Sequence, residues 1–130
     1  MAGSESSQPD AAKLTLVEHE NYLEARLAAV PNIGAVRAQL EELLKVAAEK
    51  RPPRMLVDFR AIAFEPTFLD RYGLGILGSR FAAHVERAVC VADQKFIDPR
   101  KLGAQVAQNR GMQIEIFSDY DAAVAWLTAP

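Results

Sequence analysis

The sequence predicts an α/β domain, a five-stranded mixed sheet with four helices. Three observations carry this. Short apolar runs recur along the chain: Met55-Leu56-Val57-Asp58-Phe59, Ala88-Val89-Cys90-Val91-Ala92, and Met112 with Ile114, Ile116 and Phe117. The first two read as strands buried on both faces of a sheet, and the third as the closing strand. Between them lie longer segments suited to helices. The chain opens instead on two alternating apolar and polar segments, which read as a β-hairpin. Strands alternating with helices pair in parallel through right-handed crossovers, and the hairpin adds one antiparallel strand.

The elements follow in order. Residues 1–12 are small and polar with one proline, so a disordered tail is expected there, ahead of a single domain over 13–130. Leu14, Leu16 and Val17 mark the first strand, and Glu20-Asn21 the turn. Tyr22, Leu23, Ala25, Leu27 and Ala29 continue as the second strand. Pro31 ends it and Asn32 is placed to cap a helix. Ile33, Val36, Leu40, Leu43, Leu44 and Ala47 recur at helical spacing, and Pro52-Pro53 stops the helix. Glu65-Pro66 reads as the start of a second helix that reaches about His84. Asp98-Pro99 opens a third, which ends at Arg110 with Gly111 beyond. Ser118 and Asp121 form a capping box for a closing helix, Ala122 to Leu127.

Composition narrows the function classes. A chain of 130 residues is one domain, able to bury roughly two thirds of its unfolded surface. A net charge of −2 gives no footprint for nucleic acid or an anionic membrane. No apolar run approaches the ~18 residues of a membrane span. The first ten residues lack the basic start and apolar core of a secretory signal. The single Cys90 allows no internal disulfide and fits a reducing cytoplasm.

The densest signal is Phe68-Leu69-Asp70-Arg71-Tyr72-Gly73-Leu74-Gly75-Ile76-Leu77-Gly78. It contains the dinucleotide fingerprint G-x-G-x-x-G, and Asp93 lies near the distance of a ribose-binding acid. That fingerprint needs a strand just before it, and the nearest strand ends near Phe59. Gly73, Gly75 and Gly78 read instead as small residues on one helical face. Each costs ~1 kcal/mol against alanine, which implies close approach of that helix to the sheet or to a partner.

Other chemistry-bearing residues are scattered. Asp58, Asp93, Ser118 and Asp119 end strands, where open α/β sheets bind ligands. Asp58 with Asp93 could hold a hard cation, but helix capping is the simpler role for such acids. Arg60, Asp70, Arg71, Lys95, Arg100 and Lys101 cluster near these ends as an anion-binding rim or, more simply, as solvated charge. His19 and His84 have no partner at ligand spacing. Cys90 reads as a buried small hydrophobe, Ser79 and Ser118 lack a triad, and Trp126 reads as a core anchor. No metal or cofactor is expected.

The hairpin start, Leu56-Val57-Asp58, Asp70-x-x-Gly73-Leu74-Gly75 and the closing strand and helix resemble the STAS domain, the fold of bacterial anti-sigma-factor antagonists. The order of elements agrees from about Lys13 to Leu127. Asp70-Arg71-Tyr72-x-Leu74-Gly75, Asn109-Arg110-Gly111, Phe117-x-Asp119 and Ala123-x-x-Trp126-Leu127 resemble small bacterial STAS/SEC14-like (SpoIIAA-like) proteins. In phospho-switched antagonists a Ser or Thr stands between the Asp and the glycines. Phosphate there, at a helix N-terminus, breaks partner binding. Here the positions are Arg71 and Tyr72, and the Asp58 to Gly73 spacing is longer, with Thr67 the nearest hydroxyl.

The resemblance therefore implies a non-enzymatic cytoplasmic module, without the Ser/Thr switch, that binds a protein partner or itself. Its expected surface is Asp58, Arg60, Phe64, Glu65, Thr67, Asp70, Arg71 and Tyr72, where aromatics stand beside charge. The SEC14 side implies a carrier or sensor of a small apolar ligand beside Gly73, Gly75 and Gly78. A metal-dependent enzyme using Asp58 and Asp93 is the third reading.

Overall fold

The computed structural model describes residues 14–130, so the tail expected over 1–12 lies outside the described residues. The strands are β1 (Thr15–Glu18), β2 (Leu23–Arg26), β3 (Arg54–Asp58), β4 (Arg87–Val91) and β5 (Gln113–Phe117). The helices are α1 (Ile33–Lys50), α2 (Phe68–Ser79), α3 (Leu102–Asn109) and α4 (Tyr120–Thr128). The sheet order is β1-β2-β3-β4-β5; β1 and β2 are antiparallel and every other pair is parallel. This is the five-stranded mixed sheet with four helices that the alternation predicts.

Side chains alternate between the two faces with the period of a strand. Met55 and Val57 face one way and pack with Val36, Leu40 and Leu43 of α1 and Leu77 of α2. Leu56, Val89 and Val91 face the other way and pack with Ala123 and Leu127 of α4. The sheet thus carries α1, α2 and α3 on one face and α4 on its own on the other.

Local chemistry sets the helix ends, and four differ from expectation. Asn32 caps α1 as predicted, its side chain accepting from the Ala35 amide at 2.9 Å. Helix α2 begins two residues after Pro66. Thr67 and Asp70 form a reciprocal capping box there, at 2.9 and 3.0 Å. It stops at Ser79 rather than His84, where the chain tightens into a 3₁₀ turn over Arg80–Ala83. Asp98-Pro99 does not open α3. Asp98 accepts from the Leu102 amide at 3.1 Å, and Lys101 takes a left-handed conformation (φ 50°) before the helix. The cap of α4 is Asp119, accepting from Ala122 at 2.9 Å, one residue beyond the expected Ser118. That start places Tyr120 at the first helical position, over the sheet.

Candidate functional site

The start of α2 concentrates exposed apolar surface. Phe68, Leu69 and Tyr72 are 67%, 74% and 44% exposed, and among the described residues Leu16 is the only other large hydrophobe so open. Positions 68, 69 and 72 fall on one side of the first turns of a helix. Glu65 and Thr67 are exposed beside them. Of the surface expected from the sequence, Tyr72 is part of this patch; Phe68 and Leu69 are not among the residues expected there. Their large side chains at the first helical positions were the available signal.

The structure does not bring the eight expected surface residues together. Arg71 turns inward, its side chain 16% exposed. Its guanidinium donates to the Phe96 carbonyl at 3.0 Å and lies 3.6 Å from Asp98 and 3.5 Å from Glu65. Phe64 is partly buried against the core. Asp70 is committed to the capping box. Asp58 is buried, and its carboxylate receives Arg60 through two side-chain contacts at 3.0 and 2.8 Å. The Arg60 guanidinium lies 5.5 Å from the Tyr120 ring centroid, so this pair belongs with α4.

The three glycines divide. A Cβ at Gly75 would stand 2.6 Å from the Gly103 carbonyl oxygen and 2.7 Å from the Val106 Cβ. Gly75 is therefore where α2 and α3 meet backbone to backbone. A Cβ at Gly78 would meet Ala107 at an ordinary 3.9 Å, and one at Gly73 would meet the flexible end of Arg37 at 3.2 Å. This corrects the expectation of three close-packing glycines: one serves that role, against a neighbouring helix rather than the sheet. The close approach covers the Arg71–Gly75 turn, where a Cβ at Gly103 would stand 3.3 Å from the Arg71 carbonyl oxygen, and small residues beyond it leave space. A cavity of about 150 Å³, partly open to solvent, lies between the sheet and the α2–α3 pair. Met55, Val57, Leu74, Gly78, Phe81, Cys90, Ala104 and Ile114 line it, and Arg71, Phe96, Asp98 and Lys101 are also on its wall. Burial pushes the Cys90 thiol up to about 12, so it is neutral and unreactive.

On the opposite face a polar cluster escaped sequence reasoning. Glu24 of β2 is fully buried. Its carboxylate accepts from the Tyr120 hydroxyl at 2.6 Å and from Arg26 Nε at 2.7 Å, and His19 Nε2 lies at 2.8 Å. His19 stacks on Tyr22, with centroids 4.3 Å apart. Burial opposes the Glu24 charge, but the bonds from Tyr120, Arg26 and His19 outweigh it and hold the carboxyl below its ordinary value. Burial and the neighbouring Glu24 push the Tyr120 hydroxyl far up. The cluster is internally satisfied, with a donor for each acceptor. At the far end of α4, Arg54 and Arg87 reach the last carbonyls of the helix: Arg54 donates to Leu127 and Ala129 at 2.9 and 2.8 Å, Arg87 to Trp126 at 3.1 Å. Arg87 also lies over the Trp126 ring, 5.2 Å from its centroid.

No family model matches this chain, and no curated protein matches it significantly. A solved structure does. The crystal structure of an anti-sigma factor antagonist from Mycobacterium paratuberculosis aligns with a TM-score of 0.62, over 95% of this chain and 99% of that one. The chain has a STAS-like fold. At 16% identity the likeness is one of architecture.

Within this STAS-like fold the remaining candidates have local roles. Asp93 caps the 3₁₀ turn Gln94–Phe96, accepting from the Lys95 amide at 3.1 Å, while Asp58 is taken up by Arg60. Among the described residues no group of three or more His, Cys, Asp or Glu side chains gathers to hold a metal. Lys95 lies over Phe96 and Lys101 over Phe117, at 5.2 and 5.8 Å from the ring centroids. With Arg60 and Arg71 already paired, most of the expected anion rim is compensated charge. His84 Nδ1 lies 3.4 Å from the Arg51 guanidinium. No described helix is long and apolar enough to cross a membrane.

Proposed function

We propose that this STAS-like domain is a non-enzymatic regulatory module that docks a protein partner through the start of α2. The observation that carries the reading is the exposed triplet Phe68, Leu69 and Tyr72. Large apolar side chains gathered in water on one helical turn mark an interaction site, because a monomer gains nothing by leaving them there. Glu65 beside the patch is paired with Arg71 at 3.5 Å, so the fitting partner surface is an apolar depression. The solved structure with the same fold is named for acting against a protein, an anti-sigma factor, which supports a protein as the partner class.

Regulation in this reading does not run through a Ser/Thr phosphate on α2. Arg71 and Tyr72 occupy the positions ahead of Gly73, and the nearby Thr67 hydroxyl is engaged in the capping box.

The test is a photo-crosslinking amino acid at position 72 in the native host, alone and combined with Phe68→Ser or with Leu69→Ser. Both side chains are exposed, so each variant keeps its stability within about 0.5 kcal/mol. A discrete partner adduct that disappears in both variants is the expected result. An adduct pattern that neither substitution changes overturns the assignment. Sedimentation of the purified chain separates a foreign partner from a second copy.

A further inference from the structure

We infer that His19, at the turn of the β1–β2 hairpin, is a phosphoryl-acceptor imidazole, modified at Nδ1 by a donor of the phosphoramidate class, whose phosphorus carries a nitrogen leaving group. None of the residues involved belongs to the docking surface on α2. Glu24 is fully buried, and the bonds it accepts hold its carboxyl below the ordinary value, so the group is an ionised acceptor. His19 Nε2 lies 2.8 Å from Glu24 Oε1 and must therefore carry a hydrogen. In the neutral ring the lone pair is then on Nδ1. A carboxylate on one ring nitrogen also raises the basicity of the other.

The fold presents that lone pair outward. The two ring nitrogens point in divergent directions, so Nδ1 faces away from the carboxylate that holds Nε2. The imidazole side chain is 33% exposed, while that of Glu24 is fully covered. Among the described residues Nδ1 meets no hydrogen-bond partner. Stacking on Tyr22, 17° from parallel, fixes the plane of the ring. Tyr120 bonds the same Glu24 oxygen at 2.6 Å and holds it in place.

The charges that form in the transfer are met on both sides. Nδ1 attacks phosphorus, the P–N bond of the donor breaks, and the amine, protonated beforehand, leaves with the bonding pair. Nε2 keeps its proton, so the positive charge passes from the donor nitrogen to the ring, where Glu24 already lies against it. Arg26 bonds Glu24 Oε2 through Nε at 2.7 Å and is half exposed, which leaves its terminal nitrogens for phosphoryl oxygens on the same side of the sheet. Of the acidic neighbours in sequence, Glu18 is paired with Lys50 at 3.0 Å and Glu20 is exposed to water. His84, the other histidine of the chain, has the opposite environment. Its Nδ1 lies 3.4 Å from the Arg51 guanidinium, a cation that opposes a cationic ring.

The test treats the native full chain with potassium phosphoramidate at neutral pH. Intact mass reads the extent of reaction, phosphorus NMR reads which ring nitrogen carries the group, and His19→Gln and His84→Gln assign the residue. His19 is expected to react at Nδ1, about tenfold faster than His84. In Glu24→Gln the His19 rate is expected to fall to that of His84. Guanidinium chloride removes the same geometry without a substitution, and the two histidines are expected to react alike in it. A His19 rate no greater than that of His84 is the reactivity of any exposed imidazole and overturns the assignment, as does attachment at Nε2. A preference for His19 that survives in denaturant, or in a folded Glu24→Gln variant, also overturns it, because the nucleophile would then owe nothing to Glu24.

Discussion

On one face of the sheet a single short helix is gripped at both ends by polar side chains from the strands. On the other face three helices rest chiefly on apolar contact and leave a cavity. Helix α4 is short and fully buries only Ala123 and Leu127, with Tyr120, Val124 and Trp126 packed partly against the same core. Its N-terminal end is held by the Tyr120 to Glu24 bond, and its C-terminal end by Arg54 and Arg87 on its last carbonyls. Cations at that end also oppose the negative pole of the helix. Helix α1 rests on five buried apolar side chains spread along its length, with one buried polar contact, Gln39 accepting from the Ala28 amide at 2.9 Å. Helices α2 and α3 fall between these cases. They meet at Gly75, and the space beside that contact is not filled. Directional bonds fix position where apolar area is scarce. Where apolar area is abundant, position follows from packing and empty volume can persist.

The largest effect that should separate the faces is Glu24→Ala. It leaves Tyr120 without its acceptor and Arg26 and His19 without theirs, next to a buried strand. Loss of ~2–4 kcal/mol is expected in urea unfolding at neutral pH, as for other broken buried charge networks. The Glu24 carboxyl is held below its ordinary value of 4.5 in the folded state. Its contribution is therefore complete above that value and falls away as pH drops through the depressed one. The stability gap between the native chain and Glu24→Gln should narrow from pH 7 to pH 3. A gap that does not change with pH would mean the carboxylate is not held as its partners imply. Gly75→Ala is the matching break on the other face. Its Cβ would meet backbone oxygen and a β-branched side chain inside normal contact, so ~1–3 kcal/mol is expected to be lost by thermal or urea unfolding. Tyr120→Phe removes one hydroxyl from the first cluster and keeps the ring, with about 1 kcal/mol lost.

This contrast also explains what could be read in advance. The strand order and helix count follow from period-two and helical patterning, which report burial on a local face. Met55, Val57 and the stripe of α1 are legible for that reason. Glu24 is not. In Leu23-Glu24-Ala25 it reads as the solvent side of an alternating strand, because its cover, Tyr120, arrives 96 residues later. Arg54 and Arg87 hide in the same way, as charged residues at strand starts whose acceptors lie at the end of α4. The start of α2 was half legible. Its composition drew notice, yet the direction of each side chain depends on where the helix begins. The shift from Pro66 to the cap at Thr67 turns Arg71 inward and leaves Phe68 and Leu69 outside.

The glycines of α2 allow the finest test of the same comparison. Gly75 and Gly78 are both helical, both face α3, and are one turn of sequence apart; composition cannot tell them apart. Only the distances do, 2.6 Å to a carbonyl oxygen at one and 3.9 Å to a methyl carbon at the other. Gly78→Ala is therefore expected to stabilise the fold by up to ~1 kcal/mol, through helix propensity and a less flexible unfolded chain. The added methyl would sit in ordinary contact with Ala107, beside the cavity rather than across the backbone contact. The measurement is the urea midpoint of Gly75→Ala and Gly78→Ala side by side. Opposite signs mean that α2 and α3 are pinned at one point and slack one turn on, which is what a persistent cavity requires. Equal losses would mean that the helices press together along their whole contact and that the space beside Gly78 closes in solution.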